Sequence, residues 1–236
     1  MKEIEFICLS ETALVLSFGK EINEQVLEQL MQVKQLVEQN PFKGFVETVS
    51  AYNSLAIYYN PFEIEKENSN LTLQATVISL LKKQLKNLKS LTVNKNQSFI
   101  EIPVCYDFEF GIDLIEVSKT LNLSIEEIIQ LHSSKTYKVF MLGFTPGFSY
   151  MGSLDEKLTT QRKKQPRLKV HAGSVGIAGN QTGIYPLETP GGWNIIGKTP
   201  LQLFDRTKKH PFLLKAGDNV KFISITKEEL NHWSSK

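Results

Sequence analysis

The sequence predicts a small α+β domain followed by a mainly-β domain of the barrel or sandwich type. Residues 3–89 combine short β-branched runs with two segments of helical periodicity. Residues 148–226, by contrast, consist of short apolar runs separated by glycine and proline turns. A polar, unpatterned stretch lies between these regions. We therefore place the boundary near residue 94, with domains at 1–94 and 95–236.

The elements of the N-terminal domain are predicted from a change in hydrophobic period. Apolar residues recur every three or four positions from Ile22 to Val37, as on one face of an amphipathic helix. Asn40 ends this helix because Pro41 disfavours helical backbone in the residue before it. The predicted order is strands 3–9 and 12–18, helix 22–39, strands 45–50 and 54–59, and helix 70–89.

The C-terminal domain begins with a strand and two short helices. Both helices carry the sequence of a capping box, in which Asp113 pairs with Glu116 and Ser124 pairs with Glu127. After the helices, the string Gly143 to Phe148 predicts a turn that carries two aromatic rings. The clearest predicted strands are 99–105, 138–142, 201–204, 213–214 and 220–226.

Charge and composition exclude several classes of protein. The net charge of +2 gives no argument for binding to nucleic acid or to an anionic membrane. No apolar run approaches the length of about 18 residues that a membrane span requires, and the N-terminus does not resemble a signal peptide.

The four histidines have no metal-ligand spacing, so we expect no metal site. Cys8 and Cys105 lie in apolar runs, which predicts buried, reduced thiols in a cytoplasmic protein.

Residues 171–200 form the densest candidate region for a binding site. They hold seven of the fourteen glycines, together with aromatic, amide and cationic side chains. Glycine is favoured where backbone segments approach closely or φ is positive, so the stretch predicts one compact, tightly turned surface. The alternative is a tightly turned β-domain without a site, because glycine and proline punctuate every β-fold.

One part of this stretch matches the phosphate-loop pattern G-x-x-x-x-G-K-[ST]. The match runs from Gly192 to Thr199. A phosphate loop follows a buried strand and opens a helix, whereas Pro200 and a predicted strand come next here. The loop would also contain a tryptophan and two isoleucines, which leave little room for phosphate. We interpret the match as a false positive, although Lys198 could still contact an anion outside that geometry.

Several single residues are candidates for a binding or catalytic role. Gln181, Tyr185 and Trp193 suit a pocket, because an amide can bind a lactam or carboxylate and the rings can wall a small molecule. Buried barrel core is the alternative for both rings. Arg167 follows a proline and suits a carboxylate, unless it is an ordinary surface arginine. His132 lies on an apolar helix face, where a core histidine is the simpler interpretation and a catalytic base the other.

A long series of local strings resembles one known family. The strings span most of the C-terminal domain, and the most specific are GFTPGFSY at 143–150, AGSVGIAGNQTGIYP at 172–186, PGGW at 190–193 and IGKTP at 196–200. They resemble the B subunit of the bacterial ATP-dependent 5-oxoprolinase. The same family is known as allophanate hydrolase subunit 1 and includes the Kip inhibitor of a sporulation histidine kinase. It is also similar to part of the carboxyltransferase region of urea amidolyase.

The resemblance implies a cyclophilin-like β-barrel for the C-terminal domain and a non-autonomous role in 5-oxoprolinase. That enzyme opens the lactam 5-oxoproline to glutamate with ATP hydrolysis. We expect the partners to be 5-oxoprolinase subunits A and C and ATP to be bound mainly through them. In this hypothesis Arg167, Gln181, Tyr185 and Trp193 bind the substrate, Lys198 offsets developing negative charge, and His132 is the second catalytic candidate.

Two positions depart from the family pattern, and one alternative function follows from the family. His171 stands where relatives usually have proline, and Lys198 where they usually have arginine. Lysine lacks the planar fork of arginine, so carboxylate binding at this position would differ. The alternative function is a regulatory protein that docks on a histidine kinase and inhibits its autophosphorylation. It requires an exposed aromatic patch, for which Phe144, Phe148 and Tyr150 are the candidates.

Overall fold

The computed structural model describes residues 4–65, 71–86 and 99–233. The chain divides into two compact units, Met1–Asn96 and Gln97–Lys236. The boundary that the sequence predicts at residue 94 falls between 87 and 98, outside the described residues.

The described part of the N-terminal unit is a four-stranded antiparallel sheet packed with two helices. Its strand order is β1-β2-β4-β3. The elements are β1 (Glu5–Ser10), β2 (Ala13–Ser17), α1 (Glu24–Gln39), β3 (Phe45–Ala51), β4 (Ser54–Tyr59) and α2 (Leu73–Leu85). Their buried side chains form one apolar core that contains Leu14, Leu30, Ile57 and Val77.

Most N-terminal elements agree with the prediction within two or three residues. Helix α1 begins later than predicted because the Asn23 side chain accepts a hydrogen bond from the backbone of Val26 at 2.9 Å and caps the helix. One prediction is wrong: Cys8 is exposed rather than buried, because β1 is an edge strand whose side chains are largely solvent-accessible. Cys105 is buried, as predicted.

The C-terminal unit is organised around a closed barrel in which the described residues contribute seven strands. Its strand order is β10-β7-β6-β13-β5-β12-β9. Strands β13 and β5 are parallel, and the other neighbours are antiparallel. The barrel strands are β5 (Phe99–Cys105), β6 (Thr136–Leu142), β7 (Ser149–Gly152), β9 (Ser174–Ala178), β10 (Gln181–Ile184), β12 (Asn194–Lys198) and β13 (Asn219–Ile225).

Outside the barrel strands, this unit contains a two-stranded antiparallel sheet and three α-helices within residues 99–233. Strands β8 (Arg167–Val170) and β11 (Thr189–Gly191) pair to form this small sheet, although two barrel strands separate them in the chain. The helices are α3 (Leu114–Leu121), α4 (Ile125–Ser134) and α5 (Lys227–Trp233). No helix among the described residues is long and apolar enough to cross a membrane.

The two predicted capping boxes have different outcomes. The Ser124–Glu127 box is present at α4, with both reciprocal hydrogen bonds. The prediction of a capping box formed by Asp113 and Glu116 is wrong, because the Asp113 side chain makes no capping hydrogen bond to α3. Its carboxylate contacts residues far along the chain instead, as described below.

The predicted fold class, an α+β unit followed by a mainly-β barrel, is confirmed, although not every predicted strand is present. Residues 201–204 and 213–214 are not strands. Instead, Phe204 and Phe212 form an isolated bridge and their rings stack at 5.3 Å. The predicted turn at 143–148 is present, and its glycine Gly147 has φ of +86°.

Alternation along the strands divides the barrel residues into an interior and an outer face. On β10, Thr182 and Ile184 point into the main core, so Gly183 lies on the opposite face. Tyr185, which directly follows β10, belongs to the apolar cluster on that outer face. The main core also includes Val175, Ile196 and Phe222. The outer face carries a second, smaller apolar cluster, and the candidate site is built on that cluster.

Candidate functional site

A groove of about 350 Å³ lies on the outer face of the barrel. This volume is at the lower end of the range of about 300–1,000 Å³ that is typical of small-molecule sites. We call this site the aromatic groove. Its lining consists of Phe144, Phe148, Tyr150, Arg162, Lys163, Pro166, Tyr185, Thr189, Pro190, Gly191, Gly192 and Trp193.

The aromatic rings of the groove support one another by edge-to-face packing. Phe148 lies at the centre, with its ring centroid 4.7 Å from that of Tyr150, 5.0 Å from Tyr185 and 5.4 Å from Trp193. Tyr150 and Trp193 also contact each other at 5.8 Å. Such pairs add stability beyond simple area burial, so the rings stabilise one another in this arrangement.

Two glycines create the space that these rings occupy. A Cβ atom at Gly183 would lie 3.1 Å from both the Phe148 and Trp193 rings and 2.8 Å from the Ser149 carbonyl oxygen. A Cβ atom at Gly191 would lie 2.4 Å from the Tyr185 hydroxyl. The glycine-rich stretch thus lets large rings lie flat on the barrel, which is the close approach that its composition predicts.

The rim of the groove is a basic loop, residues 162–167. The Arg162 guanidinium lies over the Trp193 ring, 5.9 Å from its centroid. Within residues 99–233, Arg162 forms no ion pair. Lys163 contacts Asp113 at 2.9 Å and Glu116 at 2.7 Å. Burial lowers the pKa of Lys163, but hydrogen bonds to Glu116 and Asp113 outweigh it and raise the pKa overall.

Asp113 anchors this loop to the barrel. Its side chain is 2% exposed and accepts hydrogen bonds from Lys163, from Arg167 at 2.5 Å and from the Ile195 backbone N–H at 2.7 Å. The Asp113 backbone N–H also donates to the Ile195 carbonyl at 2.9 Å. One buried carboxylate therefore links the N-terminus of α3, strand β12 and both ends of the rim.

Arg167 contacts a carboxylate, but it is that of Asp113 rather than one in the groove. Arg167 opens strand β8 and does not line the aromatic groove. Its second terminal nitrogen, Nη1, is buried without a hydrogen-bond partner among the described residues. Its positive charge nevertheless affects a residue of the groove, because Arg167 and Arg162 both act to lower the pKa of Tyr185. Substrate binding by Arg167 stays a prediction.

The structure brings two of the other predicted residues together. Tyr185 and Trp193 both line the groove and are at most 4% exposed. Burial raises the pKa of Tyr185, more than the opposing hydrogen bond to the Trp193 backbone and the nearby arginines lower it. Gln181 begins strand β10, which ends one residue before Tyr185, and it does not line the groove.

Lys198 ends strand β12 outside the groove lining, with its Nζ atom 5.6 Å from the Phe110 ring centroid. The surrounding motif has no phosphate-loop geometry, because residues 194–198 are a strand that pairs with β9. The interpretation of the motif as a false positive is confirmed. A catalytic role for Lys198 stays a prediction.

His132 lies in the barrel core, and both its ring nitrogens are hydrogen-bonded. Thr182 donates its hydroxyl to the Gly176 carbonyl, so Thr182 Oγ1 accepts from His132 Nε2–H at 2.8 Å. Nδ1 then accepts from the Tyr106 hydroxyl at 2.7 Å. Burial lowers the pKa of His132 to about 3, so the ring is neutral. This is the arrangement of a satisfied core histidine, and a catalytic role stays a prediction.

Similarity to known proteins extends over nearly the whole chain. Residues 4–214 match the family model described as carboxyltransferase domain, subdomain C and D. The chain is 41% identical over 231 residues to the B subunit of 5-oxoprolinase from Bacillus subtilis, covering 97% of this chain and 95% of that protein. It is 39% identical over 223 residues to the B subunit of 5-oxoprolinase from Escherichia coli O157:H7, covering 94% and 97%. The chain belongs to the family of 5-oxoprolinase B subunits.

A solved structure of the protein TTHA0988 has the same fold over most of this B-subunit homologue. The two are 35% identical and superpose with a TM-score of 0.76. The match covers 90% of this chain but 40% of TTHA0988, so the present chain spans about two-fifths of that longer protein. The predicted family resemblance is confirmed by these matches.

Three residues of this B-subunit groove, Arg162, Phe148 and Tyr150, are not predicted from the sequence as parts of one pocket. The basic run is more simply interpreted as a solvated loop, and the two rings as an exposed docking patch. The spacing of Phe148 and Tyr150 could have indicated a shared face, because residues two apart in extended backbone point to the same side; Phe148 directly precedes β7 and Tyr150 lies in it. Of the three predicted patch rings, Phe144 is 62% exposed, whereas Phe148 is 1% exposed. Docking on a histidine kinase stays a prediction.

Proposed function

We propose that this chain is the non-autonomous B subunit of an ATP-dependent 5-oxoprolinase, the cytoplasmic complex that opens 5-oxoproline to L-glutamate. Its expected partners are subunits A and C. The proposal is supported by the family membership, by the near-complete coverage of the curated relatives and by the aromatic groove. The groove has the size of a small-molecule site.

One observation carries the non-autonomous role: the groove contains binding groups but no general base. Its lining, drawn from the described residues, contains no aspartate, glutamate, histidine or cysteine. Its two tyrosines are poor bases at neutral pH, because burial raises the pKa of both Tyr150 and Tyr185. Hydrolysis requires a group that removes a proton from water. In the proposal, a partner subunit supplies that group.

The chemistry explains why ATP is required. A lactam carbonyl is a weak electrophile because the amide nitrogen donates electron density to it. Transfer of a phosphoryl group from ATP to the lactam oxygen releases ADP and makes the carbon a better electrophile. Water then attacks this carbon and the ring C–N bond breaks, with the nitrogen leaving as the amine. A second water hydrolyses the resulting acyl phosphate to glutamate and inorganic phosphate. The aromatic groove would hold the lactam ring between its walls and keep its carboxylate beside the basic rim.

ATP itself is assigned to the partner subunits. The phosphate-loop match at Gly192–Thr199 is mainly strand, and its backbone N–H groups are used in pairing rather than in a cradle. Among the described residues no group of three or more histidine, cysteine, aspartate or glutamate side chains is placed to hold a metal ion. The roles predicted here for this chain are therefore substrate binding and positioning.

Reconstitution from purified subunits tests the proposal. The chain is mixed with the A and C subunits encoded by its own host, L-5-oxoproline and ATP, and both ADP and glutamate are measured. We expect equimolar ADP and glutamate from the complete mixture, and a loss of at least about 100-fold in rate when this chain is left out.

A control with the partner subunits alone measures background ATP hydrolysis. Glutamate formation at the same rate with and without this chain would contradict the proposal. Equal rates with an unrelated barrel protein in its place would do so as well.

A further inference from the structure

The aromatic groove has an uneven charge distribution that points to an anionic ligand. Its lining contains two cationic side chains, Arg162 and Lys163, and no acidic one. Lys163 is held by Asp113 and Glu116, so its charge is largely balanced. Arg162 has no such partner within residues 99–233 and is an exposed member of the groove lining.

Arg162 is also placed where a ligand carboxylate would be most useful. Its guanidinium lies over Trp193, 5.9 Å from the ring centroid, and the side chain is exposed. Arginine binds carboxylates through two parallel N–H···O bonds, which fixes orientation as well as charge. A carboxylate on a flat ring would satisfy these N–H donors while the ring contacts the aromatic walls.

We infer that the aromatic groove binds a small, nearly planar ring carboxylate, with Arg162 as its carboxylate-binding residue and Tyr150 and Trp193 as its ring-binding walls. Arg162 thus takes the role that the sequence assigned to Arg167. Arg167 is the positioning residue beside it, since its hydrogen bond to Asp113 holds the C-terminal end of the rim. The choice of 5-oxoproline as the natural ligand rests on the proposed function.

The electrostatics of the site agree with this assignment. Arg162 acts to lower the pKa of both Tyr150 and Tyr185, against the larger effect of burial. Positive potential therefore reaches the ring hydroxyls on two sides of the groove. The same potential would stabilise a bound carboxylate, because the groove is partly shielded from solvent.

Binding to the isolated full-length chain tests this inference without partner subunits or ATP. A Trp233→Phe background leaves Trp193 as the remaining tryptophan of the chain, so its fluorescence reports on the groove. Three probes are titrated: L-5-oxoproline, pyrrole-2-carboxylate and the uncharged lactam 2-pyrrolidinone. We expect both carboxylates to bind at least about ten-fold more tightly than 2-pyrrolidinone.

The matched variants are Arg162→Gln and Lys164→Gln, which remove the same charge two residues apart. Lys164 does not line the groove. Arg162→Gln should weaken carboxylate binding about ten-fold or more and leave 2-pyrrolidinone unchanged, whereas Lys164→Gln should change either by less than about two-fold. Arg162→Lys should fall between wild type and Arg162→Gln, because lysine keeps the charge without the fork.

Three outcomes would overturn the inference: equal effects of Arg162→Gln and Lys164→Gln, equal affinity for 2-pyrrolidinone and the carboxylates, or no binding of either carboxylate. Arg162-dependent binding of pyrrole-2-carboxylate without binding of 5-oxoproline supports the ligand class and contradicts the proposed substrate. The failures of the two proposals are therefore distinguishable.

Discussion

His132 shows how a residue that looks catalytic can be explained by its neighbours. Tyr106 donates to one ring nitrogen and the other donates to Thr182, while the ring stacks on Phe222 at 4.4 Å. Every polar atom of the imidazole is satisfied by the uncharged form. Protonation would place a charge in an apolar core and remove the acceptor that Tyr106 uses.

This arrangement predicts that the stability of the fold decreases as the pH falls. The pKa of His132 is about 3 in the folded protein, against about 6.5 for an unperturbed histidine. Between these values the unfolded chain binds the proton and the folded chain does not. His132 therefore lowers the free energy of unfolding as pH falls from about 6.5 towards 3, by roughly 2 kcal/mol at pH 5. Urea unfolding followed by tryptophan fluorescence at several pH values measures this slope.

The His132→Gln variant isolates the contribution of the ring. Its pH slope in the same range should be smaller by up to about 1.4 kcal/mol per pH unit. Because the variant is also expected to be less stable, NMR of the wild-type ring provides an independent check. A neutral Nε2–H tautomer at pH 5 agrees with the network, and a protonated ring at that pH would contradict it.

At the scale of elements, the rim of the groove is held in place by a carboxylate from a residue far away in sequence. Asp113 precedes α3, yet its carboxylate holds both Lys163 and Arg167 and accepts from the backbone of strand β12. The rim loop contributes no helix or strand of its own between residues 162 and 166. Its position is therefore held by this side chain, by the hydrogen bond from the Lys163 backbone N–H to the Gly192 carbonyl at 2.8 Å, and by strand β8, which follows it.

Asp113→Asn should destabilise the C-terminal unit and loosen the rim. An asparagine can still accept from Ile195, but it leaves two partly buried cations without their shared anion. We expect a loss of roughly 2–3 kcal/mol in the free energy of unfolding, less than for a fully buried pair because Lys163 and Arg167 are 15% and 28% exposed. Both tryptophans lie in this unit, so their fluorescence follows its unfolding.

Glu116→Gln is the matched control, because it removes a carboxylate that also contacts Lys163 but is 68% exposed. Its effect should stay below about 1 kcal/mol. Faster amide hydrogen exchange in residues 162–167 of Asp113→Asn, but not of Glu116→Gln, would show that the rim is the affected element. Equal stability of the two variants would contradict the anchoring role.

The same elements show what can be predicted from sequence and what cannot. The Ser124 capping box was predictable because its partners are three residues apart and compete with nothing else. The Asp113 box was not, because the carboxylate finds stronger partners 50 to 82 residues away. Residues 201–204 have a strand pattern but lack a neighbouring strand to pair with, apart from one bridge.

The residues of the candidate site also differ in whether the sequence could predict them. Tyr185 and Trp193 were predictable because rings in a glycine-dense stretch need space that glycine provides. Arg162 could not be predicted as part of the groove, because the basic run that contains it has the same composition whether the run is solvated or packs over an aromatic ring. Only the fold, which pairs strands β9, β10 and β12, brings Trp193 beneath it.

At the scale of the whole molecule, the chain matches its curated relatives over nearly their full length, yet its groove lacks a general base. Both observations support the proposed role of a subunit that contributes a substrate-binding surface. The same fold also exists within the longer protein TTHA0988, of which this chain covers 40%.

The central claim is that the groove of this chain forms part of the 5-oxoproline site, and the KM for 5-oxoproline in the reconstituted enzyme tests it most directly. Gly191→Ala is compared with Lys164→Gln, a substitution outside the groove lining. A Cβ at Gly191 would lie 2.4 Å from the Tyr185 hydroxyl and would displace the buried Tyr185 ring. We predict a KM raised about ten-fold or more by Gly191→Ala and within about two-fold of wild type for Lys164→Gln. An unchanged KM in a folded Gly191→Ala enzyme would contradict the central claim.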